Sequence, residues 1–264
     1  MIISITESYY IAVTFILAGL FGLCVGSFLN VVIYRVPNKM SLISPPSHCP
    51  QCESRIKWYD NIPVVSYCIL GGKCRVCKEH ISFRYTFVEC MNTLLWLMCA
   101  ALFMDNLLYM FLSMTVCSVC ICVFFIDSEH LIIPDRFNLI LLAAGVLSVF
   151  IDTEYDWISH LIGFGAAAAV FLLVGFAVGF FKKREALGGG DVKFAACAGL
   201  ILGWQKFILM MLIASISSCI WFMIKSRKES VEEAAFGPFL SAGLAAALLF
   251  GSYVINWYYS LIVG

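Results

Sequence analysis

The sequence predicts an all-α polytopic membrane protein of about eight transmembrane helices, with one small zinc-ribbon-like domain between the first helix and the second. Two observations carry this. Hydrophobic residues make up 62% of the 264 positions and charged residues only 13%, far more apolar surface than a soluble core can hide. Between the first two apolar runs stands one polar stretch containing the paired motifs Cys49-Pro50-Gln51-Cys52 and Cys74-Arg75-Val76-Cys77.

Apolar runs of spanning length fall at 9–33, 85–104, 107–126, 136–151, 157–181, 192–203, 207–224 and 236–262. The first carries Gly22 and Gly26 at the i, i+4 spacing that lets helices approach closely, and Asn30 near its end as an interhelical hydrogen-bonding group. It is long enough to span, and residues 1–8 hold Glu7 and no cation, so it does not read as a cleavable signal. The sixth run, 192–203, would reach only about 20 Å as a helix, short of a hydrocarbon layer of about 30 Å, so it must be covered by protein or face a water-filled cavity.

The net charge of zero hides a segregation of cations. Threading eight spans with the N-terminus outside places the segments 35–84, 127–135, 182–191 and 225–235 in the cytoplasm, together with every Lys and Arg except Lys206. A seven-span threading would export Lys225, Arg227 and Lys228. No basic stripe interleaved with aromatics is present, so nucleic acid is not an expected partner. The organisation expected is residues 1–34 as the first helix, 35–84 as a cytoplasmic metal-binding loop domain, and 85–264 as a seven-helix membrane domain.

Residues 35–84 are too few to fold comfortably on an apolar core, and metal binding would supply their folding free energy. Cys49, Cys52, Cys74 and Cys77 form two C-x2-C knuckles separated by 21 residues, the ligand set of a tetrahedral zinc ion. A four-cysteine iron–sulfur site uses the same ligands; disulfides are disfavoured in a reducing cytosol. His48 and His80 flank the knuckles as bystanders, and the cysteines of the apolar runs, Cys117, Cys120 and Cys122 among them, read as small packing residues.

Two acids stand at the ends of apolar runs, where a charge is costly enough to be a functional-site hypothesis: Asp127, and Asp191 in Gly188-Gly189-Gly190-Asp191-Val192-Lys193. The threading puts both near the cytoplasmic face. Two carboxyl groups sharing one proton can hydrolyse a peptide bond without a covalent intermediate, one activating water and the other polarising the scissile carbonyl. Gly188, Gly189 and Gly190 would allow positive φ and close backbone approach beside the acid. The plain alternative makes Asp191 an N-cap, and capping is the better reading of Asp135. Glu89 is either a partner of Arg84 or a polar group serving the site. A transporter with intramembrane acids lining a path is the competing class, although it leaves the four cysteines unexplained; a non-catalytic scaffold with the knuckles as a docking module is the third.

At this point the chain resembles the type IV prepilin peptidases, the bacterial leader peptidases that are also N-methyltransferases. The resemblance covers most of its length. It includes Gly26-Ser27-Phe28-Leu29-Asn30-Val31-Val32 with Arg35 and Pro37, the four-cysteine loop with Gly72-Lys73-Cys74-Arg75, and Ile81-Ser82-Phe83-Arg84-Tyr85 leading to Glu89. It continues with Ile126-Asp127, His130, Pro134-Asp135, Gly188-x-Gly190-Asp191-Val192-Lys193 and Phe236-Gly237-Pro238-Phe239. The resemblance implies an inner-membrane aspartic protease of the GxGD type that cuts the short basic leader of type IV pilin or type II secretion pseudopilin precursors after a glycine. It also implies methylation of the new N-terminal residue from S-adenosylmethionine. The catalytic aspartates would be Asp127 and Asp191, with Gly188, Gly190 and Lys193 in support, and the cysteine tetrad Cys49, Cys52, Cys74 and Cys77. No donor-binding glycine loop stands in residues 35–84; Gly72 and Lys73 are the candidates for the methyl-donor site.

Overall fold

A computed structural model describes residues 5–182, 188–226 and 235–263. Of the loops expected to carry cytoplasmic charge, Lys183, Arg184, Ala186, Leu187, Arg227 and Lys228 lie outside the described residues. The described chain is almost entirely helical, with isolated β-bridges but no strand. Among the described residues, six helices are long and apolar enough to cross a membrane: Ser8–Arg35, Phe83–Phe103, Leu107–His130, Trp157–Ala177, Gly189–Ser226 and Gly237–Ile262. The fourth expected segment forms a helix of 17 residues, and the sixth and seventh are two helices joined at a kink at Gly203.

The chain divides into two compact units, Met1–Met110 and Phe111–Gly264. In the first, α1 (Ile5–Arg35) packs along α3 (Phe83–Phe103). The glycines of α1 make that contact possible, since a Cβ at Gly22 would lie 3.0 Å from Thr93 Cα and one at Gly26 2.8 Å from Glu89 Cα. Side-chain amides tie the seam: Asn92 Nδ2 donates to the Gly22 carbonyl at 2.8 Å and Asn30 Nδ2 to the Tyr85 carbonyl at 3.0 Å. Such bonds hold helices together where lipid offers no hydrophobic gain on association. The segment between these helices contains a 3₁₀ turn, Trp58–Asn61, and a short helix α2, Val65–Ile69.

In the second unit, α4 (Leu107–His130) is the most enclosed of the candidate spans. Cys117, Cys120 and Cys122 are all buried along it, as packing residues would be. It is followed by α5 (Asp135–Ile151), α6 (Trp157–Lys182), α7 (Gly189–Lys225) and α8 (Gly237–Val263). Helices α6 and α7 touch backbone to backbone where Gly163 meets Gly199, leaving no room for a Cβ on either.

Gly203 has φ 70° and ψ 169°, a backbone that an L side chain rarely adopts, and it interrupts α7. A break in a helix frees carbonyls, and in a membrane these must find donors. The Leu200 carbonyl receives Ser148 Oγ at 3.2 Å and His160 Nδ1 at 2.9 Å. A carbonyl has no proton, so His160 Nδ1 is the donor; its Nε2 then faces Asp152 Oδ2 at 3.6 Å. Just past the break, buried Lys206 reaches Glu154 Oε2 at 2.6 Å, and Ser252 donates to the same oxygen at 2.6 Å.

Candidate active site

Asp127 lies in the last turn of α4 and is 5% exposed. The helix stops three residues later because Leu131 adopts φ 55° and returns its N–H to the Asp127 carbonyl at 3.0 Å, a left-handed C-terminal cap. The chain then turns through Ile132 and Ile133 to Pro134, which precedes the first residue of α5 and is compatible with a helix start.

The N-terminus of α7 lies against this turn. A Cβ on Gly190 would come within 3.0 Å of Ile133 Cβ, and Lys193 Nζ meets Asp135 Oδ1 at 2.7 Å. Asp135 is therefore an ion-pair partner rather than the expected cap: the capping position of α5 is Pro134, with no side-chain cap. Nor is Asp191 an N-cap. Gly188 holds that position, and Asp191 stands three residues in, with its N–H on the Gly188 carbonyl at 3.0 Å. None of Gly188, Gly189 and Gly190 has positive φ, so close approach is what requires glycine: Gly190 against Ile133, and Gly188 beside the Asp191 carboxylate, 3.3 Å from where its Cβ would be.

The contact of Gly190 with Ile133 seats the first turn of α7, which carries Asp191, against the chain just past the last turn of α4, which carries Asp127. A third helix end joins them. The Gly237 N–H, at the start of α8, donates to Asp127 Oδ2 at 2.9 Å. Helix N-termini present unpaired amides that suit an acid oxygen. A backbone amide can only donate, so Oδ2 is an acceptor, and any proton on this carboxyl sits on Oδ1. Gly-Pro at 237–238 was legible as a helix start, but nothing in the sequence tied it to Asp127.

The four-cysteine cluster also assembles. The Sγ atoms of Cys49, Cys52, Cys74 and Cys77 all lie within 4.8 Å of one another, and Cys49 and Cys77 are 3.8 Å apart. Four sulfurs at about 2.3 Å from a tetrahedral centre would be separated by about 3.8 Å, so the residues fit a zinc ion. The two knuckles repeat one geometry. Cys49 N–H bonds to the Ser54 carbonyl and Glu53 N–H to the Cys49 carbonyl, just as Cys74 pairs with Glu79 and Lys78 with Cys74. Glu53 and Lys78 both take positive φ, and His48–Arg55 matches Lys73–His80 as a bridge. The histidines thus close the knuckles as backbone, not as ligands.

The Ser54 hydroxyl and backbone pull the Cys52 thiol down to about 6, and the amides of Cys77 and Val76 lower Cys74. Against the Glu79 backbone, desolvation and the neighbouring sulfurs push Cys77 up to about 12. Thiolates so crowded call for a cation. Arg75 anchors the second knuckle through Asp60, with Nη2 to Oδ1 at 2.6 Å and Nε to Oδ2 at 2.8 Å. That guanidinium holds the Asp60 carboxyl below its usual range.

Buried Glu89 serves this segment. Its Oε2 accepts the Val64 N–H at 2.7 Å, holding Val64 at φ 61°, a strained conformation for a β-branched residue. Gly72 needs its φ of 68° and faces the Tyr67 hydroxyl, 2.9 Å from where a Cβ would sit. Its N–H donates to the Tyr67 carbonyl and its own carbonyl accepts from Ile81, so both backbone groups are used within the domain.

Residues 20–103 match the bacterial peptidase A24 N-terminal domain, and residues 114–223 match the type IV leader peptidase family. The chain is 31% identical to the prepilin leader peptidase/N-methyltransferase of Legionella pneumophila, with 92% of this chain and 94% of that protein aligned. It is 35% identical to the protein of the same name from Dichelobacter nodosus, over 89% and 91%. It is 32% identical to the type 4 prepilin-like proteins leader peptide-processing enzyme of Escherichia coli O78:H11, over 94% and 98%. No solved structure matches.

Proposed function

The chain belongs to the type IV leader peptidase family, and from that membership we propose that it cuts the basic leader from type IV prepilin or pseudopilin precursors after a glycine, then N-methylates the new N-terminal residue. The observation that carries the reading is the meeting of three helix ends, those of α4 and α7 with Asp127 and Asp191 and that of α8, whose Gly237 amide holds Asp127 Oδ2.

A water between the two carboxyl groups gives up a proton to the ionised one as its oxygen attacks the scissile carbonyl. The protonated one shares its proton with the carbonyl oxygen, giving a neutral gem-diol with the protonation of the pair exchanged. Collapse breaks the C–N bond as a proton passes to the leaving nitrogen, and the pair returns to one shared proton. Asp127 Oδ2 is occupied by Gly237, so Oδ1 is the oxygen that works.

The peptidase chemistry falls in the part 85–264 and the metal domain in 35–84, following the first helix 1–34. Cys49, Cys52, Cys74 and Cys77 hold zinc, which supplies the folding free energy of that domain. S-adenosylmethionine is the methyl donor. Gly72 and Lys73 are the residues to test for its binding. The multi-pass chain sits in a bacterial inner membrane with its N-terminus periplasmic, and its cations favour a cytoplasmic site for the cysteine domain and the aspartates. A precursor with its leader in the cytosol and its apolar helix in the bilayer reaches that depth without extraction.

Purified protein incubated with a prepilin and followed by mass spectrometry tests this. The precursor should lose its leader in the absence of any partner, and the product should gain a methyl group only when S-adenosylmethionine is added. An intact precursor would overturn the reading.

A further inference from the structure

A cleft beside Asp127 takes no part in the chemistry above. Trp221 and Phe222 near the end of α7, with Phe236 and Phe239 around the start of α8, line about 300 Å³ together with Ser218, Cys219 and Ala235. Trp221 and Phe239 meet edge to face at 5.8 Å, and Phe236 lies 6.5 Å from Phe171 on α6. Trp221 is 37% and Phe222 48% exposed, so the cleft is open to the outside.

Its place in the chain gives it meaning. Phe236 directly precedes Gly237, whose amide holds Asp127, and Phe239 follows two residues later. The aromatic wall and the catalytic contact therefore belong to one turn of chain, about 5 Å of helix. Any substrate bond that reaches Asp127 must send its neighbouring residues away within about that distance. Candidate membrane spans supply both walls, so the cleft opens where an apolar segment can reach it from the bilayer. At about 300 Å³ it is at the small end of binding sites, enough for one or two side chains and not for a whole helix.

Resting on the peptidase reading, we propose that this cleft docks the first apolar side chains of the precursor helix after the cut and so sets which bond meets the aspartates. The small side chains of Ser218 and Cys219 complete its lining. Lys225, with its ammonium 4.7 Å from the Trp221 ring, marks the polar end of the cleft. The docked helix would run from the opposite end of the cleft into the bilayer.

The test is site-specific photocrosslinking in proteoliposomes. p-Benzoylphenylalanine is placed at position 222, or at position 150 on α5 as a control, since Phe150 is 80% exposed. Asp127→Asn keeps a prepilin bound and uncut. Position 222 should crosslink to the first apolar turn after the leader, and position 150 should not. Crosslinks from 222 only to lipid or to a second copy of the chain would overturn the proposal, as would equal yields from both positions. In the otherwise native enzyme, Trp221→Ala should raise KM for full-length precursor by about tenfold or more, well beyond its effect on a peptide truncated just after the cut. An equal effect on both substrates would also overturn it. A native enzyme that cuts no precursor would refute the peptidase reading instead, leaving the crosslinks to be judged by themselves.

Discussion

Gly237→Ala should damage catalysis more than its size suggests. An added Cβ would sit 2.6 Å from Asp127 Oδ2 and 2.9 Å from its Cγ. Ordinary C···O approaches are about 3.3 Å or more, so the carboxylate or the start of α8 must move by about 0.7 Å. Neither has much freedom. Asp127 is buried on a helix, its side chain is short, and Pro238 restricts the backbone of the residue before it. A displacement near 1 Å at reacting groups can cost about 100-fold in rate, so kcat should fall by about 10- to 100-fold, and overpacking should cost about 1–3 kcal/mol of stability. The assay is cleavage of saturating prepilin by purified variant, with a melting curve on the same sample. A folded variant with kcat within about twofold of native would show that Asp127 is not held where the chemistry requires it.

Three further outcomes follow from the same geometry. Gly189→Ala should cleave normally, since nothing lies within 4 Å of its Cβ position and its φ is ordinary, whereas Gly190→Ala must displace Ile133 and should lose activity; equal rates in cleavage assays would contradict this. Cys74→Ser should lose its bound metal by elemental analysis and leave the 35–84 segment open to protease, while a metal-free native protein would argue against the site. Burial pushes the Glu154 carboxyl up, but the Lys206 ammonium and Ser252 hydroxyl hold it below the usual carboxylate range. Its stabilisation is therefore present above that range and lost as pH falls through the lowered folded value. Because Glu154 is half exposed, the gap in stability between native protein and Glu154→Gln should be on the order of 1 kcal/mol at neutral pH and should close on acidification; a gap independent of pH would be the contrary result.

Much of this arrangement was legible because it rests on covalent spacing or on hydrophobicity. Cys49, Cys52, Cys74 and Cys77 announce themselves by spacing, and the structure gathers them as expected. Asp127 and Asp191 stood out because acids are rare at the ends of apolar runs. Gly22 and Gly26 were legible as a packing face and serve as one. What the sequence hid depends on long-range contact. Asp135 looked like a helix cap because capping is a local pattern; its pairing with Lys193, 58 residues away, has no local signature. Lys206 stood out as the lone cation threaded to the far side, but its partner Glu154 was one acid among several until the helices were placed. The end of the short sixth segment at Gly203 was legible, but not that the Leu200 carbonyl freed at that break is met by Ser148 and His160.

The most direct test of the two-aspartate chemistry is cleavage of a prepilin by Asp127→Asn and Asp191→Asn, each purified from membranes and compared with native protein. An amide cannot exchange the shared proton, so each single substitution should leave the precursor uncut while the protein remains folded and membrane-bound. Cleavage at the native rate by either variant would contradict the pairing of these carboxyl groups as the catalytic centre.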